Sequence, residues 1–344
     1  MSIIFNDALY TKDSSAGRIM TQQKQTVIAM RNTGHQAHKD MLLATNVART
    51  PSEAYREMDA TTKIEQVPAG EFALLSRVLG KVKPINLGRK LYEYRKASDM
   101  NKGQSSMTGN IGVKGDKVDY DYAGTVVPIH DKGFEIDWRE HTAMQAEGFD
   151  ELVDYAREAE RGLMQTKNDY LWTGNAGLVF KGQSWLGIKA DPTVATATIG
   201  VLLAATATTA DNIRAEVARI RDVLYITNNS TNPLDLVISR EIASNWERPF
   251  STADGNFGTI GDYISKLRGI KEIYEDSNLV GEEISFLYND QAGFHGVSGM
   301  AINTYAMPRL YHNSPFAYTK WCALGFVAKE DFSDRKCALY ATTA

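Results

Sequence analysis

The sequence has 344 residues and a formal net charge of −4, with 38 Lys and Arg against 42 Asp and Glu. At about 100–200 residues per domain it holds two domains or one elaborated one, with a core that needs no disulfide or metal. It shows no basic stripe, no apolar run near the ~20 residues of a membrane span and no secretory signal, which argues against a nucleic-acid reader, a membrane protein and an exported precursor.

Residues 1 to about 68 are polar and weakly periodic, and read as an arm with little core of its own. Glu71 to Gly80 carries Phe72, Leu75, Val78 and Leu79 at helical spacing, with Gly80 placed to stop the helix. Lys90–Ala97 reads as a strand through Leu91, Tyr92 and Tyr94. Ser98 to Lys117 follows, a loop punctuated by Gly103, Gly109, Gly112 and Gly115. A structureless stretch of that length inside a domain is usually functional. Val118, Tyr120 and Tyr122 then alternate with Asp119 and Asp121, so Lys90–Ala97 and Val118–Ala123 read as two limbs of one long hairpin.

Phe134, Ile136 and Trp138 alternate with charged residues, the pattern of a half-buried strand. A long amphipathic helix is expected over about 147–172, with Phe149, Leu152, Val153, Ala156, Ala159, Leu163, Thr166 and Tyr170 on its apolar stripe. Gly174 to Gly187 is a glycine-punctuated turn, and 193–209 is rich in Ala and Thr with no clear assignment. Asp211 reads as a helix cap, followed by Ile213, Val217, Ile220 and Leu224 on one face. Further helices are expected at 241–246 and 260–267, and strands at 234–239, 270–274, 283–288, 299–304, 318–329 and 337–341.

Catalytic patterns fail on spacing. Gly182–Gly187 has Gly two residues before Ser184, but Leu186 stands where a nucleophile elbow needs glycine. The glycines near Lys114 lead into a Tyr-rich strand, whereas a phosphate loop leads into a helix. His35 and His38 lack the further ligands of a zinc site. Cys322 and Cys337 form no CxxC pair, and so few cysteines fit a reducing cytoplasm. The five tryptophans are scattered as core or interface anchors. The expectation is no enzyme, no cofactor and no metal.

The order of parts resembles the tailed-bacteriophage major capsid protein of the Hong-Kong-ninety-seven type, close to the encapsulin shell-protein branch. The segment "AGTVVPIHDKGFEIDWRE" looks like the strands leading into that fold's spine helix, and "EGFDELVDYAREAERGLMQTKNDYLWTGN" like the spine helix itself. "GQSWLGI" resembles the glycine turn after it. "TADNIRAEVARIRDVLYITNNSTNPLDLVIS" and "GTIGDYISKLRGIKEIYEDSNL" resemble parts of the axial domain, and "YTKWCALGFVAKEDFSDRKCALY" the closing strands.

The resemblance covers about 70–344 and implies a mixed α+β fold. Its parts would be an N-terminal arm (1–68), a peripheral domain (69–85 and 125–190), an extended β-hairpin loop (86–124), an axial domain (191–300) and closing strands (301–344). It implies hexamers and pentamers of an icosahedral shell around double-stranded DNA, made in the host bacterial cytoplasm and ending in the virion. Portal, scaffolding and decoration proteins would be partners. An encapsulin-type compartment enclosing protein cargo is the alternative, and a soluble enzyme with a divergent site a more distant one. Inter-subunit contact is expected of the hairpin through Leu91, Tyr92, Tyr94, Lys102, Lys114, Lys117, Tyr120 and Tyr122. The lysines could reach a neighbour from the loop, though a cross-link would need partner groups that the sequence does not place.

Overall fold

The computed structural model describes residue 25 and residues 66–343, without 69, 104, 108–114, 148–150 and 252–256. Almost all of the expected arm, with His35 and His38, lies outside the described residues, as do Lys114 and Phe149. The chain divides into the units Met1–Ile64 and Glu65–Ala344, and the architecture below is that of the second.

Its helices are α1 (Ala73–Leu79), α2 (Trp138–Glu147), α3 (Glu151–Thr173), α4 (Ala210–Asp222), α5 (Arg240–Trp246) and α6 (Ile260–Ser265). The strands are β1 (Lys83–Pro84), β2 (Leu91–Ala97), β3 (Tyr120–Val126), β4 (Ile129–Ile136), β5 (Ala195–Thr198), β6 (Leu234–Ile238), β7 (Pro249–Ser251), β8 (Phe257–Thr259), β9 (Ile270–Glu275), β10 (Ile284–Leu287), β11 (Phe294–Ala306), β12 (Phe316–Ala328) and β13 (Ala338–Thr342). They form one sheet in the order β1-β11-β12-β4, one in the order β5-β13-β10-β6-β9, and the ribbons β2-β3 and β7-β8.

The five-stranded sheet is covered on both faces, and side-chain alternation sorts its residues between two cores. Leu236, Ile238, Ile284, Phe286, Leu339 and Ala341 point to the first core, against Ile213, Val217, Ile220, Ile242 and Ile264 of α4, α5 and α6. Val237, Leu287, Ala338 and Tyr340 point to the second. That core also takes Leu74, Leu75 and Val78 of α1, Leu171 and Trp172 of α3, Trp185, and Leu324 and Phe326 of β12, so it joins the two larger sheets. The 301–344 segment contributes β12 to one sheet and β13 to the other.

Two local readings are corrected. Trp138 opens α2 rather than ending a strand. The Asp137 carboxylate accepts the Arg139 N–H at 2.8 Å and its carbonyl accepts the His141 N–H, so Asp137 caps a helix and stops β4 at Ile136. Likewise α4 is capped by Thr209, whose hydroxyl accepts the Asn212 N–H, and Asp211 sits in the first turn. There its charge complements the helix dipole, and it accepts a hydrogen bond from Tyr263. The unassigned 193–209 stretch supplies β5, which pairs in parallel with β13.

The expected long helix is present as α3, and its stripe is buried from Ala159 onward except at Thr166, which is exposed. Ala159, Leu163 and Tyr170 are buried, whereas Val153 is 54% exposed and Leu152 and Ala156 are half-buried. At its end the chain makes a close backbone crossing. Ile188 N–H donates to Leu171 O and Lys189 N–H to Trp172 O, which satisfies helix carbonyls left open at a C-terminus, and Asn175 N–H donates to Trp185 O. Gly174 (φ +62°) and Gly187 (φ +81°) lie back to back at this crossing, and a Cβ on Gly187 would sit 2.3 Å from Trp172 O.

Candidate assembly surface at the extended hairpin

β2 and β3 pair in antiparallel register from Leu91↔Val126 to Ala97↔Tyr120, so the two limbs read from the sequence form one ribbon. Alternation gives it two faces. One carries Tyr92, Tyr94 and Lys96 with Thr125, Ala123 and Asp121 opposite. The other carries Leu91, Glu93, Arg95 and Ala97 with Val126, Gly124, Tyr122 and Tyr120 opposite.

The first face lies on the rest of the chain. Tyr92 is buried in a small cluster with Val127, Val297, Ala323 and Val327. Its ring meets His295 edge-on at 6.0 Å, and Lys83 donates to its hydroxyl at 3.3 Å. The Tyr94 hydroxyl accepts the Glu330 N–H at 3.0 Å, and burial pushes its pKa up to about 12. Lys96 is buried with its ammonium 3.0 Å from Glu330, 3.3 Å from Asp334 and 3.5 Å from Asp121. Burial opposes that charge, but Glu330 and Asp334 outweigh it and hold the lysine above its usual range.

The far part of the second face has no such cover among the described residues, although Val126 at its root is buried. Tyr120 is 54% exposed and Tyr122 is 63% exposed, and the Arg95 guanidinium lies over the Tyr120 ring at 4.4 Å. Leu91 is half-buried, and Lys102 and Lys117 are exposed in the loop beyond the limbs. The eight residues expected at a neighbour are thus sorted. Tyr92 and Tyr94 find their cover within the chain, Tyr120 and Tyr122 do not, and Lys114 lies outside the described residues. The groups that clasp the hairpin, His295, Lys83, Glu330 and Asp334, carried no local sequence signal. The shared parity of Tyr92, Tyr94 and Lys96 was the available clue.

His295 is fully buried, and neither ring nitrogen has a hydrogen-bond partner among the described residues. Burial pushes its pKa down to about 4, helped by Lys329 and Lys83 and opposed by the Gly293 backbone and Asp290. In the unfolded chain a histidine takes its proton near pH ~6.5. Between that value and pH 4 the unfolded state binds more protons, so stability falls as pH falls through this window. The difference is worth up to about 3 kcal/mol. His295→Phe is therefore expected to flatten the acid side of the stability curve. Denaturant midpoints of both proteins from pH 7 to 4 check it, and parallel curves would refute it.

Among the described residues no helix is long and apolar enough to cross a membrane. None of their His, Cys, Asp and Glu side chains form a group of three or more that could hold a metal ion. The family of unknown function DUF6260 matches residues 43–341. This chain belongs to that family.

No curated protein matches the sequence. Solved structures place this DUF6260 chain among phage capsid folds. It is similar to the capsid of Myoviridae Phage XM1 at 11% identity, with 86% of this chain and 99% of that chain covered and a TM-score of 0.62. A chain of Microbacterium phage Oxtober96 is similar at 11% identity, covering 88% and 98%, with a TM-score of 0.59. The capsid of a native GTA particle is similar at 14% identity, covering 86% and 98%, with a TM-score of 0.54. The DUF6260 chain therefore has the mixed α+β fold of phage major capsid proteins, as its sequence led us to expect.

Proposed function

We propose that copies of this chain assemble into the hexamers and pentamers of an icosahedral capsid enclosing double-stranded DNA. The role is structural rather than catalytic. The observation that carries the reading is the hairpin: one face is clasped by its own chain, while the other holds Tyr120 and Tyr122 out to solvent. Large aromatic side chains left open on such a face suit a contact with another chain. The fold supports the same reading, because similar chains form the XM1 and GTA capsids and are matched over nearly their whole length.

One strongly perturbed group is spent on structure. Asp276, raised to about 6 by burial, accepts the N–H groups of Leu74 and Asn278 and ties α1 to the end of β9. Portal, scaffolding and decoration proteins are the further partners this role entails, with the DNA contacted without sequence preference. The subunit would act in the virion after assembly in the bacterial cytoplasm.

Purified protein is expected to yield megadalton particles that, from infected or induced cells, hold nuclease-protected DNA. A species of subunit size under all assembly conditions would refute the shell. Particles filled with a single enzyme in place of a genome would assign the chain to a cargo compartment.

A further inference from the structure

A small cavity of about 150 Å³ lies where the root of the hairpin meets the glycine turn after α3. It has room for ~five waters at ~30 Å³ each, which suits a slender group rather than a bulky ligand. Tyr94 and Thr125 line it from the ribbon, Ser184 and Trp185 from the turn, Val327 from β12, and Asp191 from the loop before β5. The Trp185 indole N–H donates to Tyr170 O at 3.0 Å, which fixes that wall.

The carboxylate at this cavity lacks a counter-charge. Asp191 is 6% exposed. It accepts the Leu186 N–H at 3.1 Å, the Thr193 N–H at 3.0 Å and the Thr193 hydroxyl at 2.6 Å. A carboxylate has about four lone-pair sites, so one is left. Burying a charge without a partner is costly. Lys96 and Lys320 offset that cost by lying against Glu330 and Glu160, whereas no base lines this cavity. Lys189 and Lys336 are engaged elsewhere, the first with Glu283 at 2.7 Å and the second with Val194 O at 3.3 Å. The Ser184 side chain also lines the cavity, and its hydroxyl has no partner among the described residues.

We propose that this cavity binds a primary alkylammonium group, its charge at Asp191 and Ser184 and its methylenes against Tyr94, Trp185 and Val327. An ammonium brings three donors, enough for the open carboxylate site and the serine hydroxyl. A flexible alkyl stem packs on apolar walls while its head stays with polar groups, and aromatic faces attract its charge. A calcium ion suits the cavity less well, because it takes about six to eight oxygens and prefers several carboxylates. The ammonium belongs either to a free amine or to a lysine side chain of another copy, and its chemistry is the same in both. Seated there, it ties the root of the hairpin to the turn after α3. The site does not depend on the shell reading.

The test is calorimetric titration of the dialysed protein with n-butylammonium near neutral pH, with n-butanol as the uncharged match. Saturable binding of the ammonium and none of the alcohol is expected. Asp191→Asn keeps the size, removes the charge and should weaken binding at least tenfold. Ser184→Ala should weaken it severalfold and leave the melting temperature unchanged. Absence of saturable binding overturns the proposal, as do butanol bound equally well and full affinity in folded Asp191→Asn protein. If Asp191→Asn does not fold, Ser184→Ala decides, and unchanged affinity there overturns the site. Calcium bound at Asp191 and not displaced by the ammonium gives the cavity to a metal ion and overturns it too. Titrating free subunits and particles separates the two sources. Binding to both assigns the site to a free amine, and binding to subunits alone assigns it to a lysine of another copy.

Discussion

Leu163→Asp is expected to leave the protein insoluble or unfolded. Leu163 lies in the second half of α3 and is fully buried. Truncating such a leucine alone costs about 2–5 kcal/mol, and the carboxylate must then be charged without a partner or protonated in an apolar site. The sum approaches the whole ~5–15 kcal/mol by which domains are stable. Val153, on the expected stripe of the same helix, is 54% exposed, so Val153→Asp is the matched control and should leave the soluble yield within about twofold. Soluble fraction and circular dichroism separate the two. A folded Leu163→Asp protein would mean that the second half of α3 does not face the core.

Gly187→Ala is expected to have an effect nearly as large, for a reason of backbone geometry alone. Gly187 has φ +81°, and its Cβ would lie 2.3 Å from Trp172 O and 2.5 Å from two further backbone atoms of α3. A left-handed non-glycine residue costs about 1–2 kcal/mol, and forcing the crossing apart about 1–3 kcal/mol more. Gly182 supplies the contrast. Its φ is +79°, but nothing lies within 4 Å of its Cβ position. Gly182→Ala should therefore lose only the conformational part, about 1 kcal/mol. Thermal midpoints of the two variants check this, and equal losses would show that the crossing yields freely.

These two sites mark how far the sequence could be read. The turn after the long helix was legible as a glycine-punctuated stretch from Gly174 to Gly187. The reason for Gly187 was not, because it depends on the backbone of Trp172 and Thr173 passing within contact. In α4 and the helical turn after it, Ile213, Val217, Ile220 and Leu224 announced a buried face by their spacing alone, and all four are fully buried. Where a short-range hydrogen bond decided an end, composition misled. Asp137 turned a strand pattern into a helix start at Trp138, and Thr209 capped α4 in place of Asp211. The two limbs of the hairpin were plain in their tyrosines. Which tyrosines were already covered was not, since Tyr92 and Tyr94 are clasped by His295 and Glu330, some two hundred residues further along the chain.

That separation bears on the order in which the molecule comes into being. β1 waits for β11, the Lys96 clasp waits for Glu330 and Asp334, and β5 waits for β13, which also flanks β10 within the five-stranded sheet. Emerging from the ribosome, the hairpin has nothing to rest on until nearly all of the following chain has been made. A contact between copies that needs the ribbon held in place is thereby denied to unfinished subunits. Long-range pairing makes folding slow, and under the proposed shell role the same slowness would keep unfinished subunits out of the assembly.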